Sequence, residues 1–288
     1  MANIGQRMNK QHEIGKIYAQ YLDAENEKNR LQRYVDKEHF YHASGSGTCS
    51  RKLYFQSVEK VEPTNPPNTA SMRKMRVGTI LHSDIQNSLI LYNNINTNNN
   101  INNNISNKYQ LDIVKSKFVV EGEITIPELN VRGFYDVLQV EGSKNNDVSG
   151  VYLYDIKTAA DYSFKKVFND ADNPNKMEHH ELQVATYGCA LKEEYGRLDG
   201  MYVLYYNKNT SVIKYKQLPL SMTNNAYMFW ANIKKKHSVG LPNFQDGVSP
   251  VMRWECDYCQ FYDHCNPPDK LGKNNARNTD KLYLRSKG

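Results

Sequence analysis

The run "FYDVLQVEGSKNNDVSGVYLYDIK", from Phe134 to Lys157, constrains the fold of this chain more than any other stretch. Its two arms are rich in Val, Leu, Tyr and Ile, and its polar middle has nothing with which to pack a core. It therefore reads as two strands joined by a turn. Residues equidistant from the centre of a hairpin face each other. Asp136 and Asp155 are symmetric about the midpoint of Asn145 and Asn146, which predicts that they lie opposite one another. Asp155 and Lys157 are two positions apart and project from one face of their strand.

Two carboxylates facing each other across a strand pair repel unless a cation sits between them. Hard oxygen ligands of this kind suit Mg²⁺ or Mn²⁺, which lower the pKa of a bound water and stabilise charge on a phosphodiester. A lysine beside that water can orient it and stabilise developing negative charge. The competing reading makes Asp136 and Asp155 exposed strand residues paired with lysines such as Lys157, and for an isolated D-x-K tripeptide that reading is the commoner one. Here "VYLYDIKTA" sets the acid and the lysine directly after an apolar strand, where a charge near the core needs a partner.

Around the hairpin the pattern alternates. The runs "KFVVEGEITI", "VRGFYDVLQV", "VYLYDIKT", "GMYVLYYN" and "SVIKYKQLPL" read as strands, the last two joined by the turn "NKNT". "MEHHELQVATYGCALKEEYG" reads as a helix with Leu182, Ala185, Cys189 and Ala190 at core spacing, and a last helix is expected from Thr223 to His237. Upstream, Ile14, Ile17, Tyr18 and Tyr21 mark an amphipathic helix. A second helix is expected near Ser50, and a third turns Met75, Ile80, Leu81, Ile85 and Leu89 toward the core. The asparagine tract 93–107 is expected to be a flexible insertion. This order predicts an α/β or α+β domain, a mixed sheet flanked by helices.

Four short motifs stand in order: "GTILHSDIQ" with His82, "GFYD" ending in Asp136, "DIK" with Asp155 and Lys157, and "QVATY" with Gln183 and Tyr187. Gln183 and Tyr187, at i and i+4, share one helix face, where they could contact a phosphate or hold the lysine. Alone, each is a weak signal, since a Gln and Tyr on one face or a lone His usually marks the boundary of a core. As an ordered set they resemble the PD-(D/E)XK nucleases of the RecB-like branch, and within it the iron-sulfur exonucleases that include the CRISPR-associated kind. The resemblance covers about the middle third of the chain. It implies a restriction-endonuclease-like core in which Asp136, Asp155, the Ile156 carbonyl and His82 ligate a catalytic Mg²⁺ or Mn²⁺. In it Lys157 positions the water, and Gln183 with Tyr187 holds DNA or Lys157. Glu123 is a further candidate ligand, with a solvated strand residue as its alternative.

"WECDYCQFYDHCNPP" carries Cys256, Cys259 and Cys265 in a C-x2-C-x5-C arrangement. Three thiolates so close imply a metal centre that wants a fourth ligand, and Cys49 in "GTCSRKLYF" is the natural candidate, with His264 an alternative. Zinc competes, although a four-cysteine zinc site often uses two C-x2-C knuckles and only one is present. The resemblance implies a [4Fe-4S] cluster on Cys49, Cys256, Cys259 and Cys265. Cys189 falls outside that set and reads as a small core residue. The expected organisation is a helical region at 1–70 contributing one cluster cysteine, a nuclease core at 71–240 and a cluster segment with a tail at 241–288.

Thirty-seven Lys plus Arg against 31 Asp plus Glu give a charge of +6, compatible with a polyanionic partner without requiring one. Arg51, Lys52, Arg73, Lys74 and Arg76, with Tyr54 and Phe55 nearby, suit a single DNA strand, though a solvated helix face looks the same in sequence. No apolar run approaches the roughly 20 residues that span a bilayer, and the first residues lack the apolar stretch of a signal peptide, so a soluble cytoplasmic protein is expected. The composite expectation is a metal-dependent DNA exonuclease acting on single strands or ends. A non-catalytic DNA-binding scaffold of the same fold is the alternative.

Overall fold

The hairpin forms in the register its symmetry predicts: Val137 pairs with Tyr154, Leu138 with Leu153 and Val140 with Val151. Extending this ladder by one residue places Asp136 across from Asp155. The computed structural model describes residues 13–35, 40–97, 116–142, 148–169, 177–244 and 255–266. Among these, six strands form one mixed sheet: β1 (Tyr41–His42), β2 (Ser116–Ile126), β3 (Val131–Gly142), β4 (Val148–Ala159), β5 (Gly200–Asn207) and β6 (Ile213–Leu218). The helices are α1 (Glu13–Val35), α2 (Ser50–Tyr54), α3 (Thr69–Thr97), α4 (Asp161–Asn169), α5 (Glu178–Tyr195), α6 (Met222–His237) and α7 (Tyr262–Cys265).

Strand β3 serves three neighbours. It pairs antiparallel with β2 along its length and with β4 over its second half, while Val131 and Arg132 pair in parallel with β1. Beyond Tyr154, β4 leaves β3 and runs parallel to β5, from Tyr152 opposite Gly200 to Ala159 opposite Asn207. The two arms of the hairpin therefore diverge just where their aspartates sit. Helices α4 and α5 lie in the crossover between β4 and β5, as parallel pairing demands.

The main core lies between the sheet and the α5–α6 pair, with Val131, Leu138, Val151, Leu153, Met201 and Val203 below Val184, Leu191, Trp230 and Ile233. A smaller cluster on the other face joins Val137, Ile156 and Leu204 to Ile85 and Leu89 of α3. Strict alternation is interrupted between the two. On β2, Phe118 and Val120 face α3, but Ile124 and Ile126, of the same parity, face the main core. On β3, Tyr135 faces the main core and Val137 faces α3. Both strands switch facing at one level, between the pairs Val120–Val137 and Gly122–Tyr135, so the register is unchanged. The residues at the switch are Glu121 and Asp136.

Glycines allow two close approaches that frame the site. A β-carbon on Gly133 would lie 2.8 Å from Ala43 Cβ and 3.0 Å from Tyr187 Cε1, so the glycine lets α5 press onto β3. One on Gly78 would lie 3.0 Å from Thr158 Oγ1, and its absence brings α3 onto the end of β4.

Several expectations are corrected. The stripe of Ile14, Ile17, Tyr18 and Tyr21 on α1 is exposed, whereas Leu22 of that helix is buried. Both sheet faces are already covered, and the main neighbour of α1 is α3. Met75 and Ile80 are likewise exposed on α3, since that helix packs on the sheet through Ile85 and Leu89 instead. The asparagine tract starts inside α3, where Asn93 donates to the Phe118 carbonyl (2.6 Å) and accepts from its N–H (3.0 Å). Positions 98–107 of that tract lie outside the described residues.

Candidate active site

Where β3 and β4 part, the Ile156 N–H has no strand carbonyl opposite it and donates to Asp136 Oδ2 instead, at 2.6 Å. That bond turns the other oxygen toward α3, where Asp136 Oδ1 lies 3.2 Å from His82 Nε2. His82 Nε2 is also 4.0 Å from Glu121 Oε1, and the ligand atoms of His82, Glu121 and Asp136 all lie within 4.8 Å of one another. Burial opposes the charged form of His82, but the hydrogen bond and charge of Asp136, then Glu121 and Asp155, outweigh it and raise its pKa.

Asp155 is 0% exposed, and Lys157 Nζ lies 2.8 Å from its Oδ2. Its Oδ1 accepts no hydrogen bond among the described residues. Burial pushes the Asp155 carboxyl upward, Lys157 pulls it back, and Asp136 pushes again in the same direction as burial. A buried acid with an open oxygen beside a second acid is an arrangement that a cation would relieve.

Lys157 is held from two sides. Gln183 Oε1 accepts from its ammonium at 3.1 Å, and Gln183 Nε2 donates to the Tyr187 hydroxyl at 2.8 Å. Tyr187 is 2% exposed, so its hydroxyl meets Gln183 and is closed off from solvent. Its hydroxyl stays protonated, because burial and the nearby Asp155 push its pKa above the ordinary tyrosine value. The centre opens into a groove lined by Lys74, Met75, Thr79, His82, Lys157 and Lys208. Of the expected basic contacts, Lys74 lies in this groove. Arg51 does not: it is buried, donates to the Pro242 carbonyl (2.5 Å) and stacks on Phe244 (4.0 Å). Phe55 is buried as well, and Tyr54 packs edge-on against His237, so neither offers a ring to a base.

Two residues of the centre were not expected. Glu121, not Glu123, stands beside Asp136: both glutamates are exposed, but the switch in β2 sets Glu121 at the level of Asp136, while Glu123 pairs with Phe134. Gln86 Nε2 donates both to Glu121 Oε1 (2.7 Å) and to the Asp136 carbonyl (3.0 Å). Its spacing of four from His82 on one helix was the available signal.

Away from the acidic residues, Cys49, Cys256, Cys259 and Cys265 line one small cavity together with Lys52, Phe55 and Glu255. None of the four is in a disulfide among the described residues. Burial pushes Cys256 up to about 12, and the nearby Cys259 and Cys265 add to the shift. The cavity is closed by bonds between distant parts of the chain. The Cys49 N–H donates to Glu255 Oε1 (2.8 Å), Arg51 Nε to Cys265 Sγ (3.2 Å), and the Thr64 N–H to the Gln260 carbonyl (2.9 Å). His264, the alternative ligand, hydrogen-bonds the Glu62 carbonyl at 2.9 Å and is not among the residues lining the cavity. Cys189 donates to the Thr223 carbonyl at 3.1 Å against the main core, as its place on the apolar helix face implied.

A mixed sheet whose diverging strands bring two aspartates and a lysine together is a restriction-endonuclease-like core. The chain belongs to the PD-(D/E)XK nuclease superfamily, whose sequence model matches residues 96–266, more than half of its length. Members of this superfamily use divalent metals, and His82, Glu121 and Asp136 form a group that could hold one. Among solved structures, the protein SSO0001 aligns over 86% of this chain and 96% of its own, at 16% identity and a TM-score of 0.49. A protein from Eubacterium rectale named "Putative exonuclease" aligns over 72% of this chain and 83% of its own, at 15% identity and a TM-score of 0.43. No curated protein sequence matches the chain. Among the described residues, no helix is long and apolar enough to cross a membrane.

Proposed function

We propose that the protein is a divalent-metal-dependent DNA exonuclease acting on single strands or ends, with a [4Fe-4S] cluster as a structural clamp. The observation that carries the catalytic reading is the buried Asp155, with one open oxygen and Lys157 at the other, next to Asp136 and behind His82 and Lys157, which line a groove with Lys74 and Lys208. Asp136, Asp155, the Ile156 carbonyl and His82 hold Mg²⁺ or Mn²⁺. The bound ion supplies Lewis-acid stabilisation of the phosphate and a water of lowered pKa.

The chain's own residues orient everything around that ion. The Ile156 N–H fixes the plane of the Asp136 carboxylate. Asp155 and Gln183 hold two sides of the Lys157 ammonium, which leaves donor capacity for the attacking water or a phosphate oxygen. A fixed cation there stabilises the charge that grows on the phosphate as the bond to the leaving oxygen breaks. Lys74 and Lys208 are placed to pair with backbone phosphates along the groove.

The four cysteines lining one cavity match the donor set of a [4Fe-4S] cluster, and Arg51 Nε stands ready to stabilise the Cys265 thiolate. The cluster ties the region 1–70 to the segment 241–288 across the nuclease core at 71–240. It takes no part in the phosphodiester chemistry.

Digestion of end-labelled single-stranded, duplex and circular DNA by anaerobically purified protein with Mn²⁺ tests the reading. Linear DNA is degraded from its ends and circular DNA survives. Cleavage of circles would make the protein an endonuclease, and intact linear DNA would leave only a binding scaffold. A colourless preparation containing zinc and no iron or sulfide would remove the cluster.

A further inference from the structure

The acidic centre contains one residue that no motif explains. Glu121 is exposed, so it fills no core, yet it sits at the level where β2 and β3 both switch facing. Its φ is +52°, in the left-handed region that side chains bearing a β-carbon rarely adopt. A glycine would make the same turn without strain, and a glycine stands next to it at Gly122. Strained backbone persists where it serves a site, and irregularities in a sheet re-aim side chains beside active centres.

We infer that Glu121 is itself a ligand of the divalent metal, aimed by the left-handed turn of β2 and held in place by Gln86. The inference rests on the metal-dependent function proposed for the acidic centre. Three observations converge on it. The Glu121 carboxylate, His82 Nε2 and Asp136 Oδ1 gather within 4.8 Å of one another. Asp136 Oδ2 is occupied by the Ile156 N–H and Asp155 Oδ2 faces Lys157, so Asp136 Oδ1 is the oxygen turned toward His82 and Glu121. The buried Gln86 amide bridges Glu121 Oε1 and the Asp136 carbonyl, fixing the one carboxylate relative to the strand that carries the other.

Outer residues orient metal ligands in this way in other sites, by hydrogen-bonding the ligand group itself. Gln86 is thus a positioning residue: it fixes the Glu121 carboxylate through Oε1, the oxygen 4.0 Å from His82 Nε2. A set of one imidazole and several carboxylates favours Mn²⁺ over Mg²⁺.

The test is Mn²⁺ titration of the cluster-containing protein by calorimetry and by the electron paramagnetic resonance of free Mn²⁺, with melting of each metal-free variant in parallel. Glu121→Gln weakens Mn²⁺ binding about 10- to 100-fold, and Gln86→Met weakens it by a smaller factor. Glu121→Gly weakens Mn²⁺ binding as much as Glu121→Gln does, yet raises the melting temperature of the metal-free protein by roughly 2 °C, because glycine takes the left-handed turn without strain. Wild-type affinity in Glu121→Gln would show that Glu121 is no ligand. A lower melting temperature in Glu121→Gly would show that the turn is not a strain held for the metal. If wild type itself binds no Mn²⁺, the metal reading falls and this inference with it, whereas wild-type binding with an indifferent Glu121 overturns the inference alone.

Discussion

The acidic centre and the cysteine cavity are built in opposite ways from similarly sparse chemistry. The centre draws its carboxylates from neighbouring strands and its imidazole from α3, so the sheet positions Asp136 and Asp155 before any ion arrives. The cavity draws Cys49 from one end of the fold and Cys256, Cys259 and Cys265 from the other, more than 200 positions apart in the chain. Few apolar side chains back it: among the described residues its aromatic lining is Phe55, Phe244 and Tyr262. A site carried on a sheet can tolerate strain and buried charge, because the ladder over-determines it. A site made by closing a long loop depends on the bonds that close it. The first region should therefore fail in function and the second in stability.

The sharpest separation comes from Lys157→Ala. Cleavage falls by about 10²- to 10³-fold, the scale on which one preorganised charge acts in a transition state. DNA binding and the visible absorbance of the proposed cluster stay as in wild type. Breaking a buried ion pair can cost roughly 3–5 kcal/mol. Here the loss is smaller, because burial already pushes the Asp155 carboxyl upward and losing the opposing pull of Lys157 favours its neutral form. Gel assays of cleavage and binding, with a melting curve on the same sample, check this. Undiminished cleavage would remove Lys157 from the mechanism.

Cys256→Ala reverses the pattern. It bleaches the proposed cluster and frees the C-terminal segment from the N-terminal one. Joining distant parts of a chain contributes about 2–4 kcal/mol in the analogous case of a disulfide. Each kcal/mol moves the melting point by about 2–4 °C in a chain of this size, so a fall on the order of 10 °C is expected. Limited proteolysis should cut the released segment first. Cleavage of DNA, measured well below the new melting point, should survive in part, since neither Asp136 nor Lys157 contacts the cavity. If activity vanished at low temperature while the fold persisted, the two regions would be coupled and the contrast between them would fail.

The same contrast decides what was legible in the sequence. Strands with period-2 alternation and a symmetric hairpin announce both their existence and their register, so the pattern of residues alone places Asp136, Asp155 and Lys157 together. The C-x2-C-x5-C spacing announces a shared cavity equally well. What escaped is non-local or depends on backbone dihedrals. Alternation treats Glu121 and Glu123 as equivalent, and only the positive φ at Glu121 separates them. Arg51 and Phe55 looked like a nucleic-acid surface because the segment that buries them arrives from the far end of the chain. The apolar stripe of α1 has the period of a core helix, but the sheet had no face left for it. Helix α4 was too short to rise above the pattern around it.

The smallest expected effect is also the one most specific to the acidic centre. Tyr187→Phe removes a hydroxyl that accepts from Gln183 Nε2, and the ring keeps its place against Gly133. A neutral hydrogen bond of this kind contributes about 0.5–1.5 kcal/mol, so Gln183 loosens without leaving Lys157. Cleavage should drop by no more than about tenfold, mostly in kcat, because the hydroxyl is buried and does not touch DNA. Gln183→Ala cuts one step closer to the ammonium and should cost more. Combining the two should add little to Gln183→Ala alone, since Tyr187 acts only through Gln183. Additive losses in this cycle, read from single-turnover rates at saturating Mn²⁺, would mean that Tyr187 supports the centre by another route, through its packing on β3.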